Sequence, residues 1–222
     1  MEKIRDKLFL FCTILDFGKG SKVLRLSREL GALGGTIFLG RGTVRSDLLK
    51  KFGLVDIRKE IFITMVDDTQ EDAFYDNMIR KFHLDKPHHG IAFSIPLKQC
   101  EKLNGNKYVS NPEKKGVNKV DYEAIFVIVD KGSLDDVLDA AEAAGSTGGT
   151  VIHGRGCGVQ EKAKLFNIEI EPEKDIVLIL AKKEKSEGII NSIKDRLNIE
   201  KTGAGIIFVL DVTRTLGLYQ GN

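Results

Sequence analysis

The sequence has no tryptophan, only three cysteines and four prolines among 222 residues, and a formal net charge of just +2 at pH 7. The chain therefore lacks the strong basic excess expected of a nucleic-acid-binding protein, and we expect no nucleic-acid partner. Cys12, Cys100 and Cys157 are odd in number and include no CxxC pair, which argues against a disulfide framework. A reducing compartment, and thus a cytoplasmic protein, is the simplest expectation.

Long hydrophobic runs are also missing. The apolar run 8–15 is short and ends at Asp16 without a small-residue cleavage site, so it predicts a buried strand rather than a signal peptide. No run approaches the roughly 20 apolar residues that a helix needs to span a bilayer, and we expect a protein that is not membrane-embedded. The composition, 42% hydrophobic and 30% charged, is typical of a globular protein.

The sequence does contain a decapeptide that occurs twice, GGTIFLGRGT from Gly34 and GGTVIHGRGC from Gly148. The two copies share both glycines, the threonine and the Gly-Arg-Gly block, and they start 114 residues apart. This spacing is too long for a solenoid repeat and matches the size of a small domain. The chain is therefore predicted to consist of two related halves.

Each half shows the same alternation of apolar runs and amphipathic segments. The order is β-α-β-β-α-β, which predicts an α+β fold of two ferredoxin-like βαββαβ domains, each an antiparallel sheet with two helices on one face. Ser133, Thr69 and Ser186 are the predicted helix caps, with Asp136 completing an approximate capping box after Ser133. The predicted strands are 7–15, 36–39, 60–66 and 90–95 in the first half, and 123–130, 150–153, 175–181 and 205–210 in the second.

The polar segment that joins the halves is rich in Asn, Gly and Lys, which is typical of a linker. We therefore expect a first, more divergent domain over 1–100, a linker over 101–119 and a second domain over 120–222. Strands such as IVLIL at 176–180 are apolar on both sides, so the sheet face away from the helices also needs cover from another sheet, within the chain or in an oligomer.

The end of the second half, TGAGIIFVLDVTRTLGL over 202–218, resembles the C-terminal signature of the PII signalling proteins, G-x-I-F-V-x-D-V-x-R after a glycine-rich turn. GCGVQ at 156–160 resembles the family's G-x-G-x-Q at the base of its long T-loop, with Thr150 at the family's spacing. The first half is more divergent and matches in GGTIFLGRGT and in HGIAFSIPL at 89–97. The chain thus resembles a tandem PII-like protein of the nitrogen regulatory protein P-II family.

This resemblance implies a non-enzymatic sensor that binds ATP, ADP or another adenine nucleotide between subunits of a homo-oligomer, in the family a trimer. It also implies a T-loop that docks on a protein target, a transporter or a metabolic enzyme. A glycine-rich turn brings backbone N–H groups close to phosphate oxygens, although the same glycines can serve only as tight turns between strands. The candidate effector-binding residues are Thr150, Arg155, Gly156, Gly158, Gln160, Gly203, Ala204, Gly205 and Arg214.

Three positions depart from the family's cationic pattern. Ile206 occupies the place of the lysine that follows the glycine-rich turn, while Gly217 and Tyr219 occupy the places of two arginines. Losing three cations removes several charge-assisted contacts to a triphosphate. A less charged nucleotide, a different anion or no ligand all remain open.

The two segments equivalent to the T-loop, 43–58 and 157–174, contain no tyrosine, so uridylylation at the family's tyrosine is not expected. Each has an apolar centre. In the second segment Leu165, Phe166 and Ile168 can dock on a partner or simply pack within the loop.

The alternative function is metal binding or metal tolerance, as in a related trimeric superfamily. His88 and His89, with His83 nearby, suggest it, but adjacent residues point in different directions and we expect no metal site. Arg41 and Arg155 can bind anions or pair with carboxylates of a neighbouring subunit. The sequence has no evident nucleophile–base–acid set, so we expect no catalytic residues and no enzyme.

Overall fold

The computed structural model describes residues 2–5, 7–32, 34–43, 56–101, 107–110, 121–156, 164–165, 168–169, 172–198 and 205–218. Within these residues the protein is a mixed α+β fold with four helices and antiparallel pairing between the main strands. Among those four helices, none is long and apolar enough to span a bilayer.

The first half of the chain contains β1 (Glu2–Arg5), β2 (Leu8–Asp16), α1 (Gly20–Glu29), β3 (Thr36–Thr43), β4 (Asp56–Asp67), α2 (Asp68–Phe82), β5 (Ile91–Leu97), β6 (Gln99–Glu101) and β7 (Lys107–Ser110). The second half contains β8 (Tyr122–Asp130), α3 (Leu134–Ala143), β9 (Thr150–Arg155), β10 (Lys164–Leu165), β11 (Ile168–Glu169), β12 (Glu173–Lys182), α4 (Lys183–Leu197), β13 (Ile206–Val212) and β14 (Arg214–Leu216). The predicted βαββαβ order of elements appears in both halves, as β2-α1-β3-β4-α2-β5 and β8-α3-β9-β12-α4-β13.

The chain divides into two compact units that do not coincide with its halves. Unit 1 comprises Met1–Phe38, Lys59–Tyr122 and Asp211–Asn222, and unit 2 comprises Leu39–Arg58 and Glu123–Leu210. Unit 1 therefore includes the C-terminal strand β14, whereas unit 2 includes the end of β3. The domain boundaries expected at 100 and 120 stay a prediction, and the expected linker contains the short strand β7, which pairs with β6 and β1.

Unit 1 arranges its main strands in the order β3-β4-β2-β5-β14. The inward side chains of β2 and β4 alternate along each strand and pack on α1 and α2, as the two-residue period of a strand requires. The core is aromatic: the Phe11 ring lies 5.0 Å from that of Phe74 and 5.3 Å from that of Tyr75. The members of this core are Phe9, Phe11, Leu15, Val23, Leu26, Phe62, Val66, Phe74, Tyr75, Met78, Phe82, Leu84 and Ala92.

Unit 2 arranges its strands in the order β13-β8-β12-β9-β3 and packs α3 and α4 on one face. Its core holds no aromatic side chain among the described residues. The members are Ile125, Val127, Val129, Val137, Ala140, Ala141, Val177, Ile179, Ala181, Ile189 and Ile193.

The glycines at the start of the repeated decapeptide have a structural role in both units. Gly34 and Gly148 adopt φ angles of +146° and +142°, in the region that favours glycine. The next residue passes close to a neighbouring strand, since a Cβ on Gly35 would lie 2.3 Å from the Phe62 ring and one on Gly149 3.2 Å from Val177. The doubled Gly-Gly therefore serves tight strand packing.

Of the three predicted helix caps, Ser133 occupies the N-cap position of α3, whereas Thr69 and Ser186 are not caps. Helix α2 begins earlier than expected, and Asp67 rather than Thr69 caps it, in a reciprocal capping box with Gln70. Ser133 makes no capping hydrogen bond, and Ser186 lies inside α4, because β12 runs directly into that helix at Lys182. Where a strand continues into a helix without a loop, the tertiary path of the chain sets the first turn and local propensity does not.

Candidate functional site

The candidate site lies in unit 2, where β9 ends and β12 begins. The two strands run antiparallel, with His153 opposite Asp175 and Arg155 opposite Glu173. The Gly156 N–H donates to the Pro172 carbonyl oxygen at 3.1 Å and closes the base of the long loop that joins the strands. Because alternate residues of a strand share a face, all four polar side chains lie on the same side of the sheet.

His153 links a buried carboxylate to an arginine. Its Nδ1 lies 2.6 Å from Asp175 Oδ1, and its Nε2 lies 2.8 Å from Arg41 Nε. A guanidinium can only donate, so Nε2 accepts from Arg41 and Nδ1 carries the proton that is donated to Asp175. The Asp175 side chain is 5% exposed and that of His153 46% exposed, so the chain of contacts runs from the sheet interior to the surface.

Further charges surround this chain of contacts. Lys131, just after β8, pairs with Glu173, and Lys174 pairs with Asp130 at 2.5 Å. The hydrogen bond from Lys131 holds the pKa of Glu173 below its usual range, and the same bond raises the pKa of Lys131. The positive charge of Arg155 lowers the pKa of Glu173 further. The base of the loop therefore holds two lysine–carboxylate ion pairs beside the exposed Arg155.

The predicted effector residues of the second half are only partly described. Thr150 is buried in β9, Arg155 is exposed at the end of that strand, and Gly156 follows with open space where a Cβ would point. Arg155 and Gly156 lie together at the end of β9, whereas Thr150 lies at the start of the strand, opposite Leu178 of β12. Gly158, Gln160, Gly203 and Ala204 lie outside the described residues.

The backbone conformation at position 205 requires a glycine. Its φ is +143°, and a Cβ there would lie 2.6 Å from the Ile128 carbonyl oxygen. Gly90, 115 residues earlier, has φ +138° and the same 2.6 Å approach to the Ile14 carbonyl oxygen. The close approach of the last strand to the first in each unit thus accounts for both glycines without a ligand.

Arg214 belongs to unit 1, where its contacts hold the C-terminal strand β14. Its guanidinium lies 3.9 Å above the Tyr75 ring and 2.5 Å from Asp72 Oδ1. The Tyr75 hydroxyl donates to the Arg214 carbonyl oxygen at 3.1 Å and lies 3.1 Å from Ser94 Oγ. An effector that binds Arg214 must compete with this cation–π and ionic contact.

The predicted docking residues are described only through their backbone. Leu165 pairs with Ile168 in the β10–β11 hairpin, inside the loop that Gly156 and Pro172 close. Phe166 lies outside the described residues. The hairpin shows that part of this long loop has regular structure.

The histidines near α2 form no described metal site. His83 ends α2 with φ 57°, His88 has φ 63°, and the rings of His83 and His89 meet edge to face at 6.0 Å. Across the described ranges, no group of three His, Cys, Asp or Glu side chains is placed to hold a metal ion. Burial raises the pKa of the Cys12 thiol to about 12, which makes it unreactive, and Cys157 lies outside the described residues.

Sequence reasoning missed His153, Asp175 and the role of Arg41. His153 stands in the second decapeptide at the position of Leu39 in the first. A histidine that replaces an apolar strand residue in only one copy of a repeat is a signal of local function. Its partner across the sheet could not be identified without the register of β9 and β12.

Comparison with known families gives a match to the second half of the chain. Residues 122–221 match the model of the family described as nitrogen regulatory protein P-II, which supports a PII-like domain in this part of the chain. A search of curated proteins returned no match. The matched range includes every candidate effector residue and the whole loop between β9 and β12.

Proposed function

We propose that the protein is a non-enzymatic regulator of the PII type, which senses a small anionic effector at the base of the β9–β12 loop and acts on a protein target through that loop. The observation that carries this proposal is the P-II match over residues 122–221, a range that includes His153, Arg155 and Asp175 of the charged cluster in unit 2. We propose further that the first half is a second, divergent PII-like repeat, since it has the same order of elements.

The charges at the loop base favour an anion. Arg155 and Lys131 are exposed, and Arg41 is held by His153. Guanidinium groups bind carboxylates and phosphates through two parallel hydrogen bonds, and a preoriented one loses less freedom on binding. We propose that Gly156, Gly158 and Gln160, which follow Arg155 in the chain, complete the effector site beside it. Thr150, Gly203, Ala204, Gly205 and Arg214 stay candidates by the resemblance to the family.

The departures from the family pattern favour an effector with less charge than ATP. Ile206, which occupies the position of the family's lysine, carries no charge and is 61% exposed. Gly217 has φ +79°, and a Cβ there would lie 2.2 Å from the Gly90 carbonyl oxygen, so an arginine would not fit this backbone. We therefore propose ADP or another adenine nucleotide with fewer phosphate charges.

Signalling would pass through the loop. An effector at Arg155 and Gly156 lies directly beside the point where Gly156 and Pro172 close the loop. We propose that effector binding changes the loop conformation, and that Leu165, Phe166 and Ile168 dock on the target, a transporter or a metabolic enzyme. As in the family, we propose a homo-oligomer, with a trimer as the family's form.

The test is a thermal-shift screen of the full chain with ATP, ADP, AMP and cyclic dinucleotides. A ligand that binds the native state must raise the melting temperature, so we expect at least one of these nucleotides to do so. Arg155→Ala should weaken binding by roughly 10- to 150-fold, because a hydrogen bond to a charged group contributes about 1.5–3 kcal/mol. Arg80→Ala, an exposed arginine of α2 in unit 1, is the matched control and should bind normally. No shift with any nucleotide at millimolar concentration would count against the proposal.

A further inference from the structure

Strand β4 in unit 1 and strand β12 in unit 2 carry a carboxylate at equivalent positions, Glu60 and Asp175. An ion pair that occurs in both units establishes this equivalence, because it involves the lysine that precedes each carboxylate. The pair is Lys59–Asp16 in unit 1 and Lys174–Asp130 in unit 2. The contacts of the two carboxylates can therefore be compared directly.

The two carboxylates have different partners. In unit 1, Glu60 Oε2 accepts from the backbone N–H groups of Gly18 and Gly20 at 3.0 and 2.6 Å, where α1 begins. In unit 2, Asp175 is one methylene shorter and lies 2.6 Å from His153 Nδ1. The carboxylate that supports the start of a helix in unit 1 thus contacts a titratable ring in unit 2.

The two contacts of the His153 ring require that it is neutral. Nδ1 donates to Asp175, whereas Nε2 accepts from Arg41 Nε at 2.8 Å. An imidazolium ring has protons on both nitrogens and can only donate. Protonation of His153 is therefore compatible with the Asp175 contact and breaks the contact to Arg41. Leu39, at this position in the first decapeptide, cannot take up a proton.

The surroundings of the ring allow it to respond to the pH of the solvent. The His153 side chain is exposed, and histidine ordinarily changes its charge between about pH 5 and 8. Charged groups from its own strand and from the neighbouring elements face the ring. They are Arg155 of β9, Asp175 and Glu173 of β12, Arg41 of β3, and Lys131 after β8. Glu173 is paired with Lys131, so Asp175 and Arg41 are the groups in direct contact with the ring.

We propose that His153 makes effector binding at the loop base dependent on pH, an inference that rests on the proposed function. In the neutral state the ring holds Arg41. In the protonated state it carries one more positive charge, and both His153 Nε2 and Arg41 Nε become donors toward an anion. An anion between the two groups accepts from both and restores the orientation that Arg41 loses. Charge-assisted hydrogen bonds are about twice as strong as neutral ones, so the anion binds more tightly as the pH falls.

The experiment compares ADP binding to the full chain by calorimetry, for the wild type and for His153→Gln. A glutamine amide can donate to Asp175 and accept from Arg41, but it takes up no proton. Between about pH 8 and about pH 5.5, a window in which histidine changes its charge, we expect ADP affinity to rise more in the wild type than in the variant. The difference should be roughly fivefold, which is the effect of one added charge a few ångströms away in water. The phosphates of ADP titrate in both proteins, so their own contribution cancels.

The control is His83→Asn in unit 1, which removes an exposed histidine at φ 57°, a backbone conformation that asparagine also adopts. It should show the pH dependence of the wild type. Circular dichroism of each variant at both pH values checks that it is folded. Equal pH dependence in the wild type and in His153→Gln, with ADP still bound, would overturn this inference and leave the proposed function intact.

A lack of ADP binding at both pH values would contradict the proposed function instead. The response of the ring is then tested without a nucleotide, by nuclear magnetic resonance of the Arg41 Nε–H signal, assigned with Arg41→Lys. We expect this signal to shift as the pH falls in the wild type and to keep its position in His153→Gln. A signal that does not shift, or that shifts equally in both proteins, would overturn the inference.

Discussion

The two units build the same order of elements with different interiors. Unit 1 fills its core with Phe11, Phe62, Phe74 and Tyr75, whereas the core of unit 2 is built from valine, isoleucine and alanine. Phe74 and Ile189 hold the same position in the second helix of each half, and both are fully buried. The same order of elements therefore folds around an aromatic or an aliphatic core, provided that the apolar residues keep their face and their period.

The polar groups of the two units differ as well. In unit 1 the cluster of Glu71, Tyr75 and Ser94 is turned inward, where it holds the C-terminal strand through Arg214. In unit 2 the polar cluster around His153 reaches the surface at the base of a loop. The polar groups of unit 1 thus hold the C-terminal strand, whereas those of unit 2 lie at the surface, where we propose that the effector binds.

The largest expected effect concerns the two cores. Phe74→Ala should lower the free energy of unfolding by about 3–5 kcal/mol, and Ile189→Ala by about 2–4 kcal/mol, because the larger ring leaves the larger cavity. Urea unfolding of both variants measures the difference. A smaller loss of unfolding free energy for Phe74→Ala than for Ile189→Ala would contradict the larger cavity expected at Phe74.

The next effect concerns Gly90 and Gly205, which occupy equivalent positions in the two units. Gly205→Ala and Gly90→Ala should each cost roughly 2–3 kcal/mol, because the new Cβ meets a carbonyl oxygen at a φ that alanine rarely adopts. Gly188→Ala is the control: it lies within α4 with open space around it and should stabilise the protein by about 0.5–1 kcal/mol. If Gly205→Ala is neutral while Gly90→Ala is not, the two strand starts are not equivalent.

These glycines show how much of the fold can be predicted from the sequence. The order of the elements and the equivalence of Gly90 and Gly205 were evident from apolar runs and spacing alone. The 2.6 Å approach to Ile14 and Ile128 was not, because it depends on a distance between strands far apart in sequence. The caps at Thr69 and Ser186 were wrong for the same kind of reason, since the preceding strand decides where each helix begins.

The candidate site shows the same limit. Arg41 and Arg155 stood out because the decapeptide repeats them, but the partner His153 of Arg41 follows only from the pairing of β3 with β9. Arg214 matched a family motif, yet its contacts to Tyr75 and Asp72 join positions about 140 residues apart. A repeat identifies candidate residues, whereas their contacts depend on the sheet register.

A smaller effect is expected from the polar contacts of unit 1. Tyr75→Phe removes the hydroxyl that lies 3.1 Å from both Ser94 Oγ and the Arg214 carbonyl oxygen, and it should cost about 1–2 kcal/mol. Ser94→Ala combined with Tyr75→Phe should cost less than the sum of the single changes, because the two side chains share one hydrogen bond. Strictly additive costs from urea unfolding would contradict this shared role.

The smallest effect concerns pH. Burial raises the pKa of Glu71, although a hydrogen bond with Ser94 and the charge of Arg214 act against it. The folded state then binds the proton more tightly than the unfolded state, so this stability is present below the ordinary glutamate pKa of about 4.3 and is lost as the pH rises through the raised value. Glu71→Gln should flatten the stability profile in that window. Ser186→Ala, at the equivalent position of unit 2, should leave the profile unchanged.

The central claim is that the effector binds at the base of the β9–β12 loop in unit 2. Hydrogen–deuterium exchange of the full chain, with and without the nucleotide that gives the largest thermal shift, locates the binding site directly. We expect slower exchange at the backbone amides of Arg155, Gly156 and Lys174, and no change at the equivalent end of unit 1 around Lys59 and Glu60. Protection confined to unit 1, or no protection at the loop base under saturating nucleotide, would contradict the account.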